Sequence, residues 1–261
     1  MTRLGGGRNK SGRKPHSALS QRREGQETIG RTVRDDPLNP DPGFADLYAA
    51  LPDADDLWPW LEWCQRAKAP VLYLGIGAGR LAVPLHQAGI ELVGVDAHPG
   101  MLQRLRERIP GLELHQGLIA TLNLRRTFDL VIGPSSILAA DENLAAAARH
   151  ARPGGRVGME LMNPHWLEHG DHRGVRVSGE AMEVDYRLPD GSVVTQLVDR
   201  IEAVAPEMVE LRLEGHGLEL EWMGGRPDED LAESPTYFVL GARVQARQLS
   251  ARAAPGDVHM D

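Results

Sequence analysis

Between residues 71 and 162, short and almost continuously apolar runs alternate with segments whose apolar residues recur at helical spacing. VLYLG (71–75), ELVGVD (91–96), LELHQ (112–116), FDLVIG (128–133) and RVGMELM (156–162) predict five strands. Helices are expected from the glycines after position 75 to about Gln87 and over Pro99–Arg108, where Pro99 suits a first turn. A third should cover ENLAAAARHA (142–151) and stop at Pro153-Gly154-Gly155. Strands without a polar face, joined by helices, belong in a sheet covered on both sides. The expected fold class is therefore α/β, a doubly wound and mostly parallel sheet.

The flanks carry other patterns. FADLYAALPDADDLWPWLEWCQR (44–66) has helical spacing broken by Pro52 and Pro59, which predicts one or two helices against the domain that follows. In it Trp58, Trp60 and Trp63 read as a core seam. After residue 172, AMEVDYRL (181–188), VVTQLVDRIEAV (193–204) and MVELRLEGHGLELEWM (208–223) alternate with period two, with a turn signal at Asp190-Gly191. This predicts an antiparallel β meander, and YFVLGARVQA (237–246) a last strand. The expected organisation is a disordered basic tail (1–40), the core (41–172), the meander (173–223), a final strand region (224–247) and a frayed end (248–261).

Composition narrows the function classes. No apolar run approaches the roughly 18–20 residues that span a bilayer. MTRLGGGRNKSGRK at the start is basic but lacks the apolar stretch of a secretory signal. Cys64 is the only cysteine, so no internal disulfide and no zinc-type cluster is expected, and a cytoplasmic location is. Residues 1–34 hold nine Lys and Arg against Glu24 and Glu27, although the whole chain carries −8. Nucleic acid could then be held only through that arm, since an acidic body repels it.

The chemistry concentrates at VLYLGIGAGR (71–80), where glycines stand at 75, 77 and 79. A glycine turn between a strand and a helix lets a ligand approach backbone, and the helix start offers free N–H groups. Asp96, 21 residues after Gly75 at the end of the second strand, can accept from ribose hydroxyls. The dinucleotide fingerprint would require a glycine at 80, where Arg80 stands.

These residues resemble the first motif of class I S-adenosylmethionine-dependent methyltransferases. LVGVDAHPGML (92–102) resembles the second, HQGLIATL (115–122) the third, FDLVIGPSSIL (128–138) the fourth, and RPGGRVGMEL (152–161) the fifth strand after its turn. The resemblance covers about residues 68–162 and implies S-adenosyl-L-methionine as cofactor. It places Gly75, Ile76, Gly77, Gly79 and Arg80 along the cofactor's amino-acid and ribose portions. Asp96 and Ala97 would meet the ribose, Met101 would lie beneath adenine, and the backbone at Gly117, Leu118 and Ile119 would flank it. Pro134 and Ser135 would border the methyl-donating end, and Tyr48 would close over the methionine portion. Two positions depart from the family pattern: Tyr73 and Leu118 stand where many relatives have acids. Some small-molecule relatives build a wall above the methyl donor from inserted antiparallel strands, as residues 173–223 would; here the usual helix before the final hairpin is not expected.

Methyl transfer asks mainly for alignment, so no catalytic residue is singled out. HWLEHGDH (165–172) offers His169 and His172 as a base or metal ligands, but without a helical ligand spacing it predicts no metal. His98 reads as an exposed loop residue or a cofactor contact, and His115 as structural. Tyr186 could face a substrate, though it reads first as cross-strand packing. The expected function is methylation of a small molecule. A non-catalytic scaffold of the same fold and an RNA methyltransferase guided by the basic arm are the alternatives. A strand edge of the meander could also pair two copies.

Overall fold

The strand beginning at Val71 has no polar face, and its alternation divides the core. Leu72 and Leu74 pack on one side with Val131, Val157 and Met159, while Val71 and Tyr73 pack on the other with Ile132 and Trp63. Both sides of the sheet are therefore covered, as expected for a doubly wound fold.

The computed structural model describes residues 31–68, 70–169, 173–231 and 233–245. In chain order, β1 (Arg31–Arg34), α1 (Pro42–Ala50) and α2 (Trp60–Gln65) precede β2 (Val71–Leu74), α3 (Ala82–Gln87), β3 (Leu92–Asp96) and α4 (Pro99–Arg108). Then come β4 (Glu113–Gln116), β5 (Phe128–Gly133), α5 (Asp141–His150), β6 (Ala151–Met162) and α6 (Pro164–His169). The last third holds β7 (Val175–Ser178), β8 (Ala181–Arg187), β9 (Val193–Val198), α7 (Val209–Gly215), β10 (Leu218–Gly224) and β11 (Thr236–Arg243). The main sheet has the order β10-β11-β6-β5-β2-β3-β4, with β2 to β6 parallel and β11 antiparallel to both neighbours. The order reverses between β2 and β5, so a crevice opens beyond their carboxyl ends.

The tryptophans form the expected seam. Trp60 and Trp63 meet edge to face at 5.4 Å, and Trp58 meets Phe238 of β11 at 5.3 Å. Trp63 also fills the space that a side chain at Gly158 would need, fixing α2 against β6.

The structure corrects three boundaries. Residues 31–40 do not belong to a tail, because β1 pairs in parallel with β9 and buries Val33. A four-residue strand with one apolar contact leaves almost no periodic signal. The segments 1–30 and 246–261, where disordered tails were expected, lie outside the described residues.

Second, 209–215 is a helix rather than a strand of the meander. V-E-L-R-L alternates, but its ends are also four residues apart. Val209 and Leu213 are buried, whereas Leu211 between them is 63% exposed, the pattern of one helical face. The helix before the final hairpin, not expected from the sequence, is present. Third, β10 belongs to the main sheet, and β11 inserts between it and β6. The smaller sheet is β1-β9-β8-β7, antiparallel except for the β1–β9 pair.

Candidate cofactor site

The glycine loop follows β2 at the crevice. Gly75, Gly77 and Gly79 have φ of +70°, +59° and +95°, which side chains resist. They serve different neighbours. A Cβ on Gly75 would strike Ile137 at 2.4 Å, and one on Gly79 would strike Leu105 at 2.6 Å. One on Gly77 would meet nothing within 4 Å. Gly77 thus presents open backbone to the crevice, while the other two let the loop sink onto protein. Gly117, across the crevice, also faces open space.

Asp96 ends β3 beside this loop. Its Oδ2 accepts from Gly77 N–H and its Oδ1 from His98 N–H, both at 2.8 Å. Burial raises its pKa, while the two backbone N–H groups and His98 oppose the rise. Each carboxylate oxygen keeps a lone pair for a further donor, which two adjacent hydroxyls would match. His98 is neither exposed nor a free ligand group. It is 8% exposed, caps α4 by accepting from Gly100 N–H at Nδ1 (3.2 Å), and reaches the Asp41 carbonyl through Nε2 (2.9 Å). Because Nδ1 accepts, Nε2 carries the proton and donates. That residue ties the starts of α1 and α4 to the Asp96 carboxylate.

The remaining expected residues separate into lining and support. Ile76, Met101 and Ile119 are buried in the core, so their side chains shape the crevice from behind. Met101 packs with Phe44, Leu47 and Ala78. Ala97, Leu118 and Arg80 are half-buried, and Arg80 donates from Nε to the Pro52 carbonyl at 2.8 Å. Pro134 is buried and leads into Ser135 and Ser136, whose φ values are +56° and +59°. Two successive non-glycine residues in the left-handed region are uncommon and have to be held. Glu160 on β6 holds them. Its Oε2 accepts from Ser135 N–H (2.9 Å), its carbonyl accepts from Ser136 N–H (3.0 Å), and Thr236 donates to Oε1 (3.1 Å). The Ser136 hydroxyl accepts from Met162 N–H at 2.7 Å.

Sequence reasoning missed Glu160 and Asp35. Tyr48 and Tyr186 stand with tilted rings whose centroids are 6.2 Å apart. Burial pushes both phenols up, so both stay neutral. Asp35 follows β1 and lies within the fields of Asp96, Tyr48 and Tyr186. Asp35 is exposed, yet desolvation by nearby protein atoms and the charge of Asp96 push its carboxyl up to about 6. Tyr73 is buried beneath the crevice, its hydroxyl pKa raised by desolvation and by Glu160 and Asp96. No signal short of the β1–β9 pairing could have brought Asp35 here. Of the histidines in 165–172, His165 faces Glu207 at 3.2 Å; His172 and the side chain of His169 lie outside the described residues.

Residues 71–155 match the family model of a methyltransferase domain. The sheet order and this match give the core the class I methyltransferase fold. S-adenosylmethionine is the cofactor of this family. A trans-aconitate 2-methyltransferase of Methylobacterium nodulans is 33% identical over 144 residues, 52% of this chain and 50% of the relative. The chain thus spans about half the length of that curated relative. Among solved structures, an S-adenosylmethionine-dependent methyltransferase from Clostridium acetobutylicum aligns with a TM-score of 0.60 at 19% identity, covering 78% of this chain and 98% of that one. CalS10, an amino pentose methyltransferase from Micromonospora echinaspora with S-adenosylmethionine bound, aligns with a TM-score of 0.54 at 18% identity, covering 80% and 94%. At these identities the structures speak for the methyltransferase fold alone. Among the described residues, no helix is long and apolar enough to cross a membrane.

Proposed function

We propose that this chain is an S-adenosylmethionine-dependent methyltransferase that methylates a small molecule directly. One observation carries the reading: the Asp96 carboxylate is pinned by Gly77 and His98 N–H beside open glycine backbone, at the point where strand order reverses. That arrangement fits a ribose diol with the rest of a nucleoside along the loop.

Within this reading Asp96 binds the ribose, Gly77 lets the cofactor lie on backbone, and Gly117 and Leu118 border adenine. Ala97 lies beside the ribose; Ile76, Met101 and Ile119 support from below. Glu160 supplies the carboxylate that Tyr73 does not, and it holds Pro134, Ser135 and Ser136 at the reacting end. Tyr48 closes one wall. Bound S-adenosylmethionine would supply an electrophilic methyl carbon on a sulfonium sulfur, with a neutral thioether as its leaving group. The residues' task is then to align donor and acceptor and to exclude water.

The test is formation of S-adenosylhomocysteine from S-adenosylmethionine in the presence of a panel of small acceptors. Turnover that disappears in Asp96→Ala supports the reading. A folded protein that binds the cofactor but turns over nothing would favour a scaffold of the same fold.

A further inference from the structure

The smaller sheet turns one face toward the crevice, and its register sets the order of side chains there. Tyr186 pairs with Val194, and Val184 pairs with Gln196, which is also opposite Val33. Val194 and Val33 pack with Phe44, Ala78 and Met101 against the glycine loop and α4, so this face is the crevice's roof. Arg34 points the other way, to Asp199, and Asp35 returns to the roof side one position further on, its amide donating to the Leu197 carbonyl at 3.4 Å.

Two features of the roof lack protein partners of the right kind. Gln196 is 5% exposed, and among the described residues its Oε1 has no hydrogen-bond donor. Its register neighbours, Val33 and Val184, have no side-chain donor to offer. Buried acceptors are ordinarily satisfied, so an orphaned one beside a ligand crevice points to a donor arriving with the ligand. Asp35, in turn, makes no ion pair with Lys or Arg among the described residues, and only His98 acts on it with the opposite sign. Arg80 is the cation whose charge reaches Tyr48, Tyr73 and Tyr186, and its Nε is committed to Pro52. The charge of Asp96 acts on Asp35, and Asp96 and Glu160 both act on Tyr73 beneath the crevice, so negative charge gathers on this side. A polycarboxylate there would meet repulsion and few donors.

We propose that Asp35 and Gln196 form the acceptor-recognition subsite beside the Tyr48–Tyr186 pair, and that the subsite takes a small molecule carrying an amine and further hydrogen-bond donors. This rests on the methyltransferase reading. Asp35 faces the amine, the Gln196 amide oxygen accepts from a neighbouring N–H or O–H of the same molecule, and the tyrosine rings flank its carbon skeleton. Asp35 and Gln196 leave the cofactor to Asp96 and the glycine loop.

The experiment uses the full chain with S-adenosylhomocysteine bound, titrated with amino sugars and polyhydroxylated amines and, separately, with trans-aconitate. Turnover is then measured with S-adenosylmethionine for whatever binds. Amines should bind and be methylated, and trans-aconitate should do neither. Asp35→Asn should raise KM for the amine at least tenfold while S-adenosylmethionine affinity stays within twofold. Gln196→Met should melt no lower than the parent, since it removes an orphaned polar atom, yet lose at least fivefold in kcat/KM. Methylation of trans-aconitate, failure of every amine to bind, a changed cofactor affinity in Asp35→Asn, or unchanged turnover in Gln196→Met would each overturn the proposal. Loss of S-adenosylmethionine binding by the parent protein would instead sink the methyltransferase reading beneath it.

Discussion

Gly77 shows most directly how single residues shape this crevice. An alanine there has room, since nothing lies within 4 Å of its Cβ position, but it must adopt φ near +59°. The left-handed conformation costs an L-residue about 1–2 kcal/mol. Gly77→Ala should therefore lower stability by about that much and weaken S-adenosylmethionine binding further, because the new methyl projects into the cofactor's space. A thermal melt beside a binding titration separates the two effects; a stability loss with unchanged affinity would remove Gly77 from the site. Cys64 gives a second expectation. It is 3% exposed, and burial pushes its thiol up to about 12. A thiol reagent at pH 8 should leave it unmodified in native protein and label it fully in denaturant. Rapid native labelling would contradict the packing of α2 against the sheet.

At the scale of elements, α7 offers a sharp contrast between two leucines. Leu213 is 1% exposed beneath the sheet and Leu211 is 63% exposed. Leu213→Ala should cost about 2–5 kcal/mol, and Leu211→Ala should stay within about 0.5 kcal/mol. Equal losses in chemical denaturation would restore the strand reading of 209–215. That segment marks where the sequence becomes ambiguous, because five residues of alternation fit a helix face as well as a strand face. The βα core had little such ambiguity: β2, β3 and β5 are apolar on both faces and Pro99 opens α4, although β6 begins at Ala151 and runs through Pro153-Gly154-Gly155, where a turn was expected. The glycine loop and Asp96 were legible for the same reason, being local in sequence. Asp35, Glu160 and Gln196 were not, since each enters the site through pairing between strands distant in the chain. The period-two signal around Tyr186 announced a sheet face but could not say what that face covers.

Over the whole molecule, charge and topology converge on the crevice. Asp35 holds its proton more tightly in the folded chain than at its ordinary value of 3.8, so its contribution to stability is fully present below that pH and is lost as pH rises through about 6. Its neighbours Asp96 and Asp36 act in the same direction, and His98 opposes them. Binding of an amine has the contrary dependence: it should strengthen as Asp35 ionises through about pH 6. KM for such a substrate should fall across that range, and the fall should vanish in Asp35→Asn. A pH-independent KM would contradict the assignment. On the proposed assignment the small sheet belongs to the site, β1 included, since removing β1 would take away both Val33 and Asp35.

The central claim is that the crevice binds S-adenosylmethionine through Asp96. Titration calorimetry of the full chain with S-adenosylmethionine and S-adenosylhomocysteine, with NAD as control, addresses it directly. A charge-assisted hydrogen bond contributes about 1.5–3 kcal/mol, so Asp96→Ala should weaken binding of the first two about 10- to 150-fold, and NAD should not bind. Absence of binding by well-folded protein, or affinity indifferent to Asp96→Ala, would contradict the account.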